Sequence, residues 1–294
     1  MKQLFFSLPL GMRYMLLSAF GFSVMAVCVK FASAEGIPVL EIVAARALVS
    51  LFLSYADIHR KGIAVFGQRK SLLFMRGLVG SFALVCVYYA ITHLPLAEAT
   101  VLQYLYPIFT AILALFFLKE HIHWQLIVSI VLSFIGLLLV VRPAILFGDL
   151  AQDLSYFAVL AGILGAIGSS IAYVLVRKLN QTEDSSVIIF YFPLIALPLS
   201  LVLLGNDFVV PTAYACFLLV LVGIFTQIGQ VGLTKAMQTE TAGRATAFSY
   251  IQVVFAVFFG WLFFQEIPDM WFAAGALFIL IGVLVNLMAK HKTV

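Results

Sequence analysis

Arg46 lies near the middle of an apolar run that spans roughly residues 39–57. It sits about nine residues, or ~14 Å of helix, from either end of that run. A charge at such a depth costs about 2.5–3.5 kcal/mol or more, so it must face a protein interior or a water-filled cavity. A guanidinium grips a carboxylate or phosphate through two parallel N–H bonds, so the chemistry on offer is anion recognition. A structural role, bonding exposed carbonyls or Glu41, is the competing reading. Glu41 is five residues away, about 140° around a helix, which makes that pairing awkward. Arg76 opens the next apolar run. It either snorkels and anchors that end or draws anions into a cavity open to the same side.

Two further pairs share one spacing: Thr100-x-x-x-Tyr104 and Thr246-x-x-x-Tyr250. Four residues put Thr and Tyr on one helix face. Each Tyr stands about seven residues, ~10 Å, inside its helix. The two tyrosines are expected to flank the midplane from opposite sides, as two gates or as two walls of one site. Aromatic packing where the helices cross is the alternative. Gln103, Ser170 and Gln227 are polar groups in apolar runs that line a cavity or join helices. The expected substrate-contacting set is Arg46, Arg76, Gln103, Tyr104, Ser170, Gln227 and Tyr250. Glu120 and Glu266 follow two apolar runs, where a carboxylate opposes the helix dipole, and are expected to cap or pair with neighbouring helix ends. The five histidines and three cysteines show no metal-ligand spacing. No nucleophile–base pair or phosphate loop is present, so neither an enzyme nor a cofactor is expected.

These residues need elements to hold them, and composition says which. The chain has 294 residues, 64% hydrophobic and 10% charged, with a mean hydropathy of +1.14. Soluble domains carry about 45–50% apolar and ~25% charged residues. A soluble enzyme, a disordered chain and a nucleic-acid module are excluded. Long unbroken apolar runs also exclude a membrane barrel, whose strands alternate. Ten segments are long enough to cross a bilayer: roughly 13–31, 39–57, 72–92, 97–118, 122–141, 155–178, 186–205, 212–235, 243–264 and 268–289. With an even count and both termini in the cytoplasm, fourteen Lys and Arg residues fall inside and only Lys30 and Arg142 outside. That is a strong positive-inside bias.

An offset of 146 residues aligns the chain on itself. Ala99-Thr100 falls on Ala245-Thr246, Tyr104 on Tyr250, Glu120 on Glu266 and Ile135-Gly136 on Ile281-Gly282. A repeat of five helices inserts its second copy upside down. The fold class expected is therefore an all-α polytopic membrane protein of ten helices as two inverted five-helix repeats, 1–142 and 155–294, joined by a loop at 143–154.

The stretch Tyr88-Tyr89-Ala90, Pro95 to Leu102, Leu105-Tyr106-Pro107-Ile108 and Phe117 to Glu120, with Arg46 and the second copy ending Phe264-Gln265-Glu266, resembles the EamA-type transporters of the drug/metabolite transporter superfamily. Leu118-Lys119-Glu120, Trp124-Gln125 and Ile135-Gly136-Leu137 are similar to S-adenosylmethionine carriers of intracellular bacteria. Arg76-Gly77 and Tyr88-Tyr89-Ala90 are similar to eukaryotic organic-anion members. The resemblance implies a carrier of a small metabolite working by alternating access. No Asp or Glu is placed deep in a run, so an exchanger or facilitator is expected rather than a proton-driven carrier. The expected partners are an amino-acid-like or organic-anion solute and the lipid bilayer, without nucleic acid, in a bacterial inner membrane. A passive pore and a non-transporting scaffold are the other classes. The topology has a direct check. A reporter active only outside the membrane should report at residue 149 and stay silent at the C-terminus; the reverse pattern would reject this orientation.

Overall fold

A computed structural model describes residues 8–94, 96–141, 155–265 and 270–288. Among them the helices run in chain order α1 (Leu10–Ala34), α2 (Val39–Lys61), α3 (Lys70–His93), α4 (Leu96–Gln103), α5 (Tyr106–Phe117), α6 (Trp124–Val141), α7 (Tyr156–Leu179), α8 (Ser185–Leu204), α9 (Ala213–Thr239), α10 (Ala242–Ala247), a 3₁₀ turn (Phe248–Tyr250), α11 (Ile251–Phe264) and α12 (Met270–Met288). They supply ten spans long and apolar enough to cross a membrane. In hydrocarbon only a helix satisfies its own backbone, which is why such runs fold this way. Two spans are broken. The fourth is α4 followed by α5, and the ninth is α10, the 3₁₀ turn and α11. The 142–154 loop and Glu266 lie outside the described residues.

Packing divides the chain into two compact units, and each draws on both halves of the sequence. The first comprises Met1–Ser81, Leu175–Thr239 and Phe255–Glu266; the second comprises Phe82–Val174, Glu240–Val254 and Ile267–Val294.

In the first unit α9 packs along α1 and against α2, and α8 packs against α2. The α1–α9 seam closes at glycine: a Cβ on Gly21 would lie 2.8 Å from the Gly229 amide nitrogen. Small residues of this kind let membrane helices approach to backbone contact. One end of this unit is polar. Lys61 Nζ binds Asp57 at 2.8 Å, Asp184 at 2.9 Å and Ser186 Oγ at 2.8 Å, and Ser186 Oγ also donates to Asp57. Asp184 caps α8 by accepting the Ser186 N–H at 2.8 Å. Burial works against its ionisation, but that N–H, Lys61 and the Ser186 hydroxyl outweigh it and hold the carboxyl below its usual range. Glu183 accepts the N–H groups of Gln68 and Arg69, just ahead of α3. Glu41 accepts the Val209 N–H at 3.0 Å, ahead of α9.

In the second unit α12 lies along α6, and α10 packs on α5. Glu120 accepts the Ala242 N–H at 2.8 Å and so caps α10, the start of the ninth span. This is the helix-end capping expected of it. The α6–α12 seam also rests on a glycine pair: a Cβ on Gly136 would sit 2.5 Å from the Gly275 carbonyl oxygen. Gly136→Val should therefore force the two helices apart, giving a melting temperature in detergent several degrees below the parent and below Gly136→Ala. An unchanged melt for Gly136→Val would show that the seam is not closed as described.

Candidate functional site

Arg46, Arg76 and one aromatic ring come together in the first unit. Phe192 lies on α8 immediately before Pro193. The Arg76 Cζ is 4.9 Å from the ring centroid and the Arg46 Cζ is 6.0 Å from it. What brings α3 to α8 is again glycine. A Cβ on Gly77 would lie 2.6 Å from the Tyr191 carbonyl oxygen, and one on Gly80 would lie 3.1 Å from Phe192 Cδ2. With those side chains absent, Arg76 folds onto the Phe192 ring. Arg76 is only 3% exposed. The surface-anchoring role considered for it does not hold, because the glycine-lined approach of α8 covers the side chain with protein.

Arg46 reaches the same ring from α2 and is half-buried. Among the described residues it forms no ion pair and no hydrogen bond; Glu41 is committed to Val209 instead. The arithmetic leaves it undercompensated. A desolvated cation–π contact returns about 2 kcal/mol, against an insertion cost of about 2.5–3.5 kcal/mol or more. Further polar groups line the same face of α2. Ser50 and Ser54 follow Arg46 at four-residue steps, which keeps all three within one narrow stripe. Gln227 Nε2 of α9 donates to Ser54 Oγ at 2.9 Å. The buried Ser50 Oγ and Gln227 Oε1 have no hydrogen-bond partner among the described residues. Buried polar atoms without partners mark places that a ligand or water serves.

The tyrosines belong to the second unit and meet there. Tyr104 and Tyr250 stack with centroids 5.7 Å apart and planes at 28°. Tyr106 packs against Tyr104 at 6.1 Å and edge-on to Tyr173 at 5.2 Å. The break in the fourth span explains the arrangement. Ile108 N–H turns to the Leu105 carbonyl at 3.1 Å instead of reaching back four residues to Tyr104. The Tyr104 carbonyl thereby loses its helical donor, and the Tyr250 hydroxyl fills the vacancy at 2.9 Å. Tyr106 donates to Ser249 Oγ, whose hydroxyl in turn donates to the Thr246 carbonyl at 2.5 Å. The stack is the aromatic packing that the sequence offered as the alternative to two separate gates. Gln103 ends α4 at this break and is half-buried. Ser170 is fully buried and donates to the Ile167 carbonyl of its own helix at 2.7 Å.

So Arg46, Arg76 and Gln227 fall in the first unit, while Gln103, Tyr104, Ser170 and Tyr250 fall in the second. Sequence reasoning missed Phe192, Ser50, Tyr106 and Ser249. A proline within an apolar run, Pro193, was the available signal for Phe192. The step of four from Arg46 was the signal for Ser50.

Comparison with known proteins decides the family. The EamA-like transporter family matches residues 9–142 and again residues 156–288. The chain belongs to that family. It is 36% identical over 277 residues to the pseudopaline exporter CntI of Pseudomonas aeruginosa, covering 92% of this chain and 94% of that one. It is 34% identical to solute carrier family 35 member G1 of Mus musculus, covering 93% and 77%. It is 27% identical to the S-adenosylmethionine uptake transporter of Rickettsia bellii, covering 76% and 75%. A solved crystal structure superposes with a TM-score of 0.76 at 18% identity, over 92% of this chain and 95% of that one, and shows the same fold. This EamA-family chain is an integral membrane transporter of a small molecule and not an enzyme.

The tyrosine stack generates a test of its own. Tyr250→Phe keeps the ring and removes the donor to the Tyr104 carbonyl. Leaving that carbonyl open should lower stability by roughly 1 kcal/mol or more, a fall of about 2–4 °C in melting temperature. Equal melts for Tyr250→Phe and the parent would remove the hydroxyl's role at the break.

Proposed function

We propose that the chain is a secondary carrier that moves a small polar metabolite bearing a negative group, an amino-acid-like compound or organic anion, by alternating access. The observation that carries this is Arg46, a half-buried guanidinium held near mid-span against Phe192 with no protein counter-ion among the described residues. Arg76 at the same ring and the open acceptor of Gln227 complete the binding wall. Exchange or facilitated movement suits the site, since the buried carboxylates Glu41 and Glu183 are engaged with backbone N–H groups. The relatives' names point the same way: one is an exporter and another an uptake protein, so the fold serves both directions. The two family matches, at 9–142 and 156–288, support two inverted halves joined through 143–154. The Lys/Arg distribution supports both termini in the cytoplasm of a bacterial inner membrane.

Substitution of Arg46 in proteoliposomes is the test. Arg46→Lys keeps the charge and loses the planar fork, so saturable uptake from a metabolite panel should fall about tenfold or more with insertion intact. Arg46→Ala should abolish it. Uptake by Arg46→Ala with unchanged apparent affinity would make the residue structural and end this reading.

A further inference from the structure

The polar stripe on α2 has an order. Arg46 starts it, Ser50 and Ser54 follow at four-residue steps, and Gln227 of α9 is anchored on the last of them. The seam that brings Gln227 there closes at glycine, since a Cβ on Gly223 would collide with the Val49 side chain. Helical rise sets the levels. Lys61 pairs with Asp184, which fixes the end of α2 beside the start of α8. From that pair, Ser54 stands about 10 Å along α2, Ser50 about 16 Å and Arg46 about 22 Å, while Phe192 stands about 12 Å along α8. To meet the Phe192 ring, the Arg46 side chain must run back toward Ser50 and Ser54. The guanidinium and the serine–glutamine pair therefore serve one neighbourhood within the first unit.

The chemistry offered beside the guanidinium is specific. Gln227 Nε2 is spent on Ser54 Oγ, which leaves the amide oxygen Oε1 unpaired among the described residues, and the Ser50 hydroxyl is unpaired there as well. Neighbouring side chains at this spacing have Cβ atoms about 5–6 Å apart. One group that accepts from Ser50 and donates to Gln227 makes two hydrogen bonds of about 2.8 Å, which cover a gap of that order. A hydroxyl can do both; an ammonium has no lone pair with which to accept. An ammonium would also bring a second positive charge toward Arg46. No acidic residue on α9 could offset it, and the α2 carboxylates Glu41 and Asp57 are engaged by the Val209 N–H and by Lys61. We propose that the site takes hydroxy acids, with the carboxylate at Arg46 and a solute hydroxyl bridging Ser50 Oγ and Gln227 Oε1. This rests on the reading that Arg46 contacts the transported anion, and it narrows the solute class to carboxylates that carry a hydroxyl within a few bonds.

Ligand-dependent shifts in the melting temperature of the purified full-length protein test it. The probes are glycolate, lactate and β-hydroxybutanoate, each with its deoxy acid, its methyl ether and its amino analogue, at matched ionic strength and neutral pH. The parent should bind at least one hydroxy acid roughly tenfold or more tightly than all three of its analogues. Gln227→Met, which keeps the length and removes the acceptor, should bring hydroxy-acid affinity down to that of the deoxy acid and leave deoxy-acid affinity unchanged. Gln227→Glu, which keeps an acceptor should the methionine variant fail to fold, should retain the preference for the hydroxy acid over its methyl ether. A purely structural glutamine would lower the unliganded melting temperature without moving these ratios, and that result would overturn the proposal. Methyl ether or deoxy acid binding as tightly as the hydroxy acid, with all binding lost on Arg46→Gln, would overturn the hydroxyl claim and leave the carrier reading standing. So would tighter binding of the amino analogue. No shift from any carboxylate, or shifts indifferent to Arg46→Gln, would overturn both.

Discussion

An open peptide N–H or C=O in hydrocarbon costs several kcal/mol, and that cost shapes every part of this chain. It makes the long apolar runs helices and confines irregular backbone to places where something else serves the exposed groups. The glutamates are those servants at helix starts. Glu41, Glu120 and Glu183 each accept from backbone N–H groups at or ahead of the start of a different helix. A helix start carries partial positive charge and unpaired donors, so a carboxylate placed there is favourable even where its own helix end opposes it. This accounts for charges that the sequence leaves at the margins of the spans.

The arginines stand in contrast. Backbone carbonyls at helix ends satisfy Arg177, which donates to the Met237 carbonyl at 2.8 Å, and a carboxylate 3.5 Å away pairs with Arg244. Arg46 has only the Phe192 ring among described residues. A buried cation whose compensation is incomplete in the protein alone is an attractive potential for anions, and low dielectric around it magnifies that attraction.

How much of this was readable follows from what each signal depends on. The spans were legible because about twenty apolar residues in a row have one outcome in a bilayer. Arg46 was legible because depth within its own run sets its cost. The burial of Arg76 was not, since it depends on α8 approaching through Gly77 and Gly80, a contact far away in sequence. Phe192 was hidden among 28 phenylalanines. Ser170 was ambiguous because a hydroxyl in an apolar helix can donate to its own backbone as readily as to a ligand. The breaks at Tyr104 and at Phe248–Tyr250 were missed because each lies inside a stretch long and apolar enough to be read as one span.

Those breaks nonetheless fall at positions that the sequence offset pairs. The offset of 146 residues that aligns Tyr104 with Tyr250 also aligns Lys119 with Gln265. Those two residues have φ of 56° and 57°, and they are the only non-glycine residues of positive φ among those described. A side chain in that conformation costs about 1–2 kcal/mol, so chance recurrence at equivalent positions is a poor explanation. The fourth and ninth spans thus share a break near the middle and a left-handed exit, features of backbone that composition cannot imitate. The break in the fourth span acquires its remedy from the ninth: Tyr250 supplies the donor that the Tyr104 carbonyl lost. A broken helix is tolerable in a membrane only when its freed groups find partners. Here the residue 146 positions further along the chain provides one, so the ninth span stabilises the fourth where it is individually weakest.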